Sequence, residues 1–164
     1  MVNEAYNKII KEERFNYLLI YQYDPILMRH YHLYHDCGKS YCKVIDKQGK
    51  IHYPDHANKS AQIHAKHFDA PEANWLIKND MIFHSCKGEE LKEWMNENTP
   101  QVIASLYLTA WSEIMANAQL FGGLESDTFK IKKKRLIQHG KKIEELFIKQ
   151  GLRQLDNQRG PQHL

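Results

Sequence analysis

The stretch around which the chain is organised reads RHYHLYHDCGK, residues 29–39. It ends a predicted helix, where the backbone is looser than in the middle, so that the neighbouring His35 and Asp36 can both turn onto one cation. His32 precedes them by three and four residues and therefore shares their helical face. Imidazole and carboxylate are both good ligands for divalent metals. We therefore predict that the fold gathers these groups around a metal ion.

Length and composition predict one domain, residues 1–164, with a core large enough to need no disulfide. The net charge is only +3, which is compatible with a phosphate-bearing partner without requiring one. Three irregularly spaced cysteines favour a reducing compartment. A polar N-terminus and the lack of any membrane-length apolar run predict a cytoplasmic protein with no membrane partner.

Hydrophobic periodicity predicts an all-α protein with one small β-hairpin insert at about residues 42–53, which carries Gly49 near its turn. The most apolar stretch follows Thr99-Pro100 and is expected to be the central buried helix. The final residues, about eight in number, are expected to fray. The other predicted helices cover residues 3–23, 26–35, 56–68, 71–84 and 88–95, with a last helical region beginning at Ser126 or Asp127.

Residues 33–39, LYHDCGK, resemble the L-x-H-D-x-G-K signature of the HD superfamily of metal-dependent phosphohydrolases. The layout from Ile26 to Ala118 is similar to that family, and nothing outside this span is. The resemblance implies a compact helical bundle with the His-Asp doublet at its centre. It also implies hydrolysis of a phosphate ester, by a phosphomonoesterase or phosphodiesterase, with a nucleotide or a nucleic-acid end as substrate.

The chemistry of ester cleavage explains this choice of residues. A divalent metal acidifies bound water and neutralises charge on the phosphoryl oxygens. Mixed imidazole and carboxylate ligands suit Mn, Fe, Ni, Co or Zn. A carboxylate inside an apolar helix is costly unless it is paired or binds a ligand, and Glu113 has this position. The predicted metal ligands are His35, Asp36 and Glu113, with His32, His56 and His84 as further candidates.

A second group of residues is predicted to contact the phosphate. His56 begins a helix, whose free N–H groups favour anions, and Lys59 and Ser60 follow it by one turn. Lys39 lies just beyond the doublet, where the resemblance implies a phosphate contact. The expected catalytic residues are Asp36, Lys39 and His56, and the expected substrate contacts are Lys39, Lys59, Ser60 and His84.

The sequence departs from the HD pattern in two ways. A Glu stands at position 113 where the family has an Asp, with Asn117 one turn later and Asp127 as an alternative carboxylate. The family's first His is missing, since no His precedes His30, and His32 is the better placed replacement. The residues at the expected place are Tyr17, Tyr21, Gln22 and Tyr23. We interpret the remaining histidines as surface residues: His52, His64, His67, His139 and His163.

Three functions remain open at this point. The first is a divalent-metal phosphohydrolase. The second is a catalytically degenerate HD-like module that binds a nucleotide or RNA. The third is a helical interaction subunit, in which the signature arises by chance. The basic run Lys130–Arg135 is interpreted as a solvated helix face or, alternatively, as a contact to a phosphate backbone.

Overall fold

The computed structural model describes residues 2–152, which form helices and one two-stranded hairpin. The predicted all-α class with a small β insert is confirmed. The helices are α1 Val2–Ile9, α2 Asn16–Leu19, α3 Pro25–Tyr34, α4 Lys39–Cys42, α5 His56–His67, α6 Pro71–Lys78, α7 Ile82–Ser85, α8 Gly88–Glu97, α9 Pro100–Ala116 and α10 Asp127–Lys149. Two short 3-10 helices cover Glu13–Phe15 and Ala118–Phe121. The last residues, expected to fray, and His163 lie outside the described range.

Helix α9 is the centre of the bundle, as its apolar sequence predicts. Its first turn is fixed by Pro100 and by the Thr99 hydroxyl, which accepts from the Val102 N–H. It packs against α1, α6, α7 and α10 and is buried along most of its length. A helix that is apolar on nearly all sides is stable only when neighbours cover each side.

Helix α3 brings the His-Asp doublet to the bundle. Asp24 caps it by accepting from the N–H groups of Ile26 and Leu27, with Pro25 at the first position. The helix ends at Tyr34, and the doublet lies in the turn that leads into α4. Gly38 directly precedes α4.

The close approach of α5 requires a glycine at position 38. A Cβ on Gly38 would lie 2.5 Å from the Ser60 backbone N and 2.8 Å from the His56 carbonyl oxygen. The Gly38 N–H donates to the Ser60 hydroxyl at 2.9 Å. The doublet turn and the first turns of α5 are therefore in direct contact, which places His56 beside Asp36.

Two of the predicted helices are broken in the structure. The pattern over residues 3–23 divides into α1, the turn Glu13–Phe15 and α2, because the charged run 11–14 offers no apolar side chain to the core. Phe15 turns inward instead and packs edge-on against Trp111. The pattern over residues 71–84 divides into α6 and α7 at residues 79–81.

The hairpin pairs β1, Val44–Ile45, with the antiparallel β2, Ile51–His52. Asp46 holds its turn by accepting from the N–H groups of Gln48 and Lys50. All four strand residues are exposed, so the hairpin adds no core of its own. Within residues 2–152, every helix is too short or too polar to cross a lipid bilayer.

Candidate metal centre

Four separate parts of the chain bring acidic and imidazole groups to one place. The turn after α3 supplies His35 and Asp36, and the start of α5 supplies His56. The α6–α7 turn supplies Asp80, and α9 supplies Glu113. These residues form two overlapping sets whose possible ligand atoms lie within 4.8 Å of one another: His35, Asp80 and Glu113, and Asp36, His56 and Asp80. Asp80 belongs to both sets.

The imidazoles of His35 and His56 are oriented in the same way. Each Nδ1 faces a backbone carbonyl three residues earlier, that of His32 at 2.9 Å and that of Tyr53 at 3.0 Å. Donation from Nδ1 leaves Nε2 to face the carboxylates, as in histidines that bind metals. The Nε2 of His35 is 3.4 Å from Asp36 Oδ2, and the Nε2 of His56 is 3.6 Å from Asp36 Oδ1.

The carboxylate of Glu113 contacts two histidines. Its Oε1 is 3.3 Å from His35 Nε2, and its Oε2 is 2.6 Å from His84 Nε2. His84 lies on the short helix α7, which packs on α9. The structure therefore gives His84 a contact with the carboxylate. The half-buried Glu113 of the apolar helix is paired, which offsets the energetic cost of its charge.

Asp80 is the member of the candidate centre that the sequence did not predict. It is 3 % exposed and its Oδ1 accepts a hydrogen bond from the Tyr31 hydroxyl. We interpreted the region as one continuous helix, in which Asp80 had no special place. Lys78 and Asn79 directly precede Asp80, so this carboxylate does not stand alone in an apolar run as Glu113 does, and the sequence gives it no comparable signal.

The candidate centre contains several carboxylates, and their charges shift the pKa values of its members. Burial lowers the pKa of His35, but contact with Glu113 and the charges of Asp80 and Asp36 outweigh burial and raise it to about 9. Burial, followed by the charge of Glu113, raises the pKa of Asp80. Burial at Glu113 is outweighed by contacts with His35 and His84, which hold its pKa below the usual range. Without a metal, positive charge is supplied by protons and by Lys39.

Three polar atoms of the centre are buried without a hydrogen-bond partner among residues 2–152. They are His35 Nε2, Asp36 Oδ1 and Asp80 Oδ2. Buried polar atoms are nearly always satisfied, and groups that are not need an explanation such as an ion. All three atoms are of ligand type, and they belong to the two overlapping sets. The donor set therefore fits a divalent cation of the transition series better than calcium.

A cavity of about 510 Å³ opens beside these groups. His56, His84 and Glu113 line it, as does Lys39, whose Nζ lies 2.6 Å from Asp36 Oδ2. Its outer wall is formed by β2, by the end of α9 and by Lys132 of α10. A phosphate-sized group can therefore approach the centre from this side, between two lysines.

Other predicted site residues lie elsewhere. Ser60 is fully buried, and its hydroxyl is occupied by Gly38. The Nε2 of His32 is 3.0 Å from Thr109 Oγ1, and its Nδ1 is 3.4 Å from Asn3 Oδ1. His32 is thus absent from both sets of described ligand groups. Lys59 lies 5.8 Å above the ring of Tyr41, outside the cavity lining.

Two histidines interpreted as surface residues are buried. His64 is 1 % exposed, and its Nε2 is 2.8 Å from His30 Nε2, so the two rings form a pair beside Phe68. His139 is 4 % exposed and packs near Phe83. These interpretations were wrong because a mostly polar helix can still bury one imidazole against an aromatic neighbour.

No protein-family model matches this chain, and no curated protein or solved structure matches it either.

Proposed function

We propose that the chain is a divalent-metal-dependent phosphohydrolase of the HD type, acting on a phosphate ester of a nucleotide or a nucleic-acid end. The observation that carries this proposal is the convergence of His35, Asp36, Asp80 and Glu113, in which three buried atoms of ligand type lack a hydrogen-bond partner among the described residues. Chance burial of so many charged groups would be strongly destabilising. A cation that binds them removes this cost.

In this proposal the metal would be held by the two overlapping sets, His35 with Asp80 and Glu113, and Asp36 with His56 and Asp80. The metal supplies an acidified water and neutralises charge on the ester. Asp36 and Asp80 would be the carboxylates able to take up the proton of such a water. His84 is kept in place by Glu113 and faces the cavity, where it can donate to a phosphoryl oxygen.

Lys39 has two roles in the same proposal. It neutralises Asp36 when no metal is bound, at 2.6 Å. If a cation were bound to that carboxylate, the ammonium of Lys39 would be free to turn towards a phosphate in the cavity that it lines. A lysine is a suitable residue for this exchange because its charge sits on a flexible stem.

The test is metal analysis and turnover on the purified chain and on Asp36→Ala. After expression with Mn, Fe, Co, Ni and Zn supplied, we expect a stoichiometric transition metal and hydrolysis of bis(p-nitrophenyl) phosphate or of a nucleotide ester. Asp36→Ala should lose both. The matched control is Asp69→Ala, an exposed carboxylate between α5 and α6, which should keep both. Failure of the wild-type chain to bind any of these metals would overturn the proposal.

The alternative is a catalytically degenerate HD-like module that binds a nucleotide or RNA. One observation favours it: no histidine from α1 or α2 reaches the centre among the described residues, since none precedes His30. The turnover measurement separates the two functions, because the alternative predicts that the chain binds its ligand but hydrolyses no ester. A cytoplasmic location belongs to either proposal and is supported by three free cysteines, Cys37, Cys42 and Cys86.

A further inference from the structure

A second, strongly cationic depression lies on α10, outside the metal centre. It is a groove of about 480 Å³ between α10 and the start of α8, which we call the α10 groove. Its cations are Lys87, Lys134, Arg135 and Lys142, and none of its lining residues is acidic within the described chain. Four positive charges without a carboxylate among them repel one another. An anionic ligand would relieve that repulsion.

The α10 groove and the cavity of the metal centre are joined through the same helix. Lys132 lines the cavity, and Arg135, one turn later, lines the groove. The Arg135 guanidinium also donates to the His84 carbonyl oxygen at 2.6 Å, so the two sites share a wall. From Lys132 to Lys142 the helix rises about 15 Å at ~1.5 Å per residue. That length corresponds to about four nucleotides of a strand at ~3.4 Å each.

The groove also contains a buried polar atom with no partner among the described residues. His139 lines it and is 4 % exposed, and its Nδ1 makes no hydrogen bond. Burial, then the charges of Lys142 and Arg135, lowers the pKa of His139 to about 4. A neutral imidazole with a free nitrogen below four cations is suited to a hydrogen bond with a ligand that also bears negative charge.

In the cavity of the candidate metal centre, two aromatic rings lie beside lysines. Tyr53 and Phe121 both line the cavity. Lys39 lies 5.8 Å from the Tyr53 ring centre, and Lys132 lies 4.8 Å from that of Phe121. Proteins that bind single strands combine a cationic groove for the backbone with aromatic side chains on which bases stack. A duplex would offer its phosphates but would keep its bases from these rings.

We propose that the α10 groove binds the phosphate backbone of single-stranded nucleic acid and leads the strand to the cavity of the metal centre, where bases stack on Tyr53 and Phe121. Apart from Lys87 and Gly88, the residues that line the α10 groove lie beyond Ala118, outside the span of the HD resemblance, so that resemblance does not imply the groove. The inference names the substrate class of the proposed function and rests on that function only for cleavage. Binding itself requires no metal.

The test measures binding without turnover, on the full chain in EDTA. Fluorescence anisotropy with a labelled single-stranded 12-mer, oligo(dT) or oligo(rU), gives the affinity at several salt concentrations. Lys134→Gln with Lys142→Gln removes two groove cations. We expect affinity to fall at least tenfold and the slope of log K against log salt to fall by about 1.4, at ~0.7 per phosphate contact on a single strand.

Lys133→Gln with Lys141→Gln is the matched control, because both lysines are exposed on α10 but lie outside the groove. The control should bind like the wild type. Equal loss in the two double variants, or no binding by the wild type at low salt, would overturn the proposal. So would equal binding of a duplex 12-mer, or equal competition by a mononucleotide or inorganic phosphate at matched concentration.

The failures of the two proposals are distinguishable. A chain that binds the 12-mer in EDTA but never hydrolyses an ester keeps the α10 groove and loses the phosphohydrolase. A chain that hydrolyses bis(p-nitrophenyl) phosphate but ignores the 12-mer does the opposite. All four substituted lysines are polar surface residues, so the melting temperature of each variant should stay within a few degrees of the wild type.

Discussion

Asp80 adds a third carboxylate to a centre that already contains Asp36 and Glu113. Like charges buried together destabilise a protein unless protons, cations or hydrogen bonds balance them. Here Tyr31 donates to one oxygen of Asp80, while the other lacks a partner among the described residues. The second oxygen is therefore the one that would be available to a metal. In the proposed function Asp80 would destabilise the metal-free protein and would favour metal binding.

The substitution Asp80→Asn separates those effects. The amide oxygen can still accept from Tyr31, so we expect the metal-free variant to unfold at the same temperature as the wild type or higher. Metal affinity should fall by about a hundredfold or more, since even hydrogen-bond partners of ligands change it by ~10–100-fold. Calorimetric titration with Mn²⁺ and a melting curve in EDTA measure the two quantities. Unchanged affinity beside the exposed control Asp69→Asn would remove Asp80 from the centre.

Sequence reasoning found the site residues that carry an obvious local signal. The doublet His35-Asp36 has a short signature, and Glu113 is conspicuous on an apolar helix. Asp80 was missed because its neighbourhood fits a helical period, so that the break between α6 and α7 was invisible. The burial of His64 and His139 depends on aromatic partners from other elements, Phe68 and Phe83, which one sequence does not place in contact.

At the scale of elements, the contact between the doublet turn and α5 depends on the missing side chain of Gly38. The backbone angle of Gly38 is ordinary, at φ −81°, so space and not conformation requires the glycine. A methyl group there would push α5 away and move His56 from Asp36.

We therefore expect Gly38→Ala to destabilise the protein by about 1–3 kcal/mol, the usual range for overpacking, and to weaken metal binding. Urea unfolding and metal titration measure both. Ser40→Ala is the control, because Ser40 is exposed on the adjacent α4. Normal stability and metal affinity in Gly38→Ala would show that α5 can shift without disturbing the centre.

Helix ends with a capping residue were predicted well. Thr99-Pro100 begins a helix as expected, and Ser126 caps α10 by accepting from the Phe129 N–H. The splits at residues 11–14 and 79–81 were not predicted, because nothing there breaks a helix locally. They arise from packing, which requires α1 and α7 to lie against α9.

For the whole molecule, buried neutral histidines make stability depend on pH. Burial, then the charge of His35, lowers the pKa of His32 to about 4 from its usual 6.5. Between pH 4 and pH 6.5, His32 is therefore protonated in the unfolded chain but neutral in the folded chain. Stability contributed by neutral His32 is complete above pH 6.5 and is lost as the pH falls towards 4. His139 shifts in the same direction.

The substitution His32→Gln should flatten this dependence. At pH 5 the wild type should have lost about 2 kcal/mol through His32 relative to pH 7, at ~1.36 kcal/mol per pKa unit. His32→Gln should be less stable than the wild type at pH 7. Its stability should then fall by about 2 kcal/mol less than that of the wild type between pH 7 and pH 5. Urea unfolding in EDTA at pH 7 and pH 5 provides the comparison, with His67→Gln as an exposed control. Parallel losses in His32→Gln and wild type would contradict the assignment.

The hydrogen bond from Arg135 to the His84 carbonyl oxygen joins two sites that would otherwise be independent. His84 is also the partner of Glu113, so Arg135 and a carboxylate of the candidate metal centre contact the same residue. Thermodynamic reciprocity then applies: if a strand bound on α10 alters the affinity for a cation by some factor, the cation alters the affinity for the strand by the same factor. Binding of the cation and binding of the strand would then form a single coupled equilibrium.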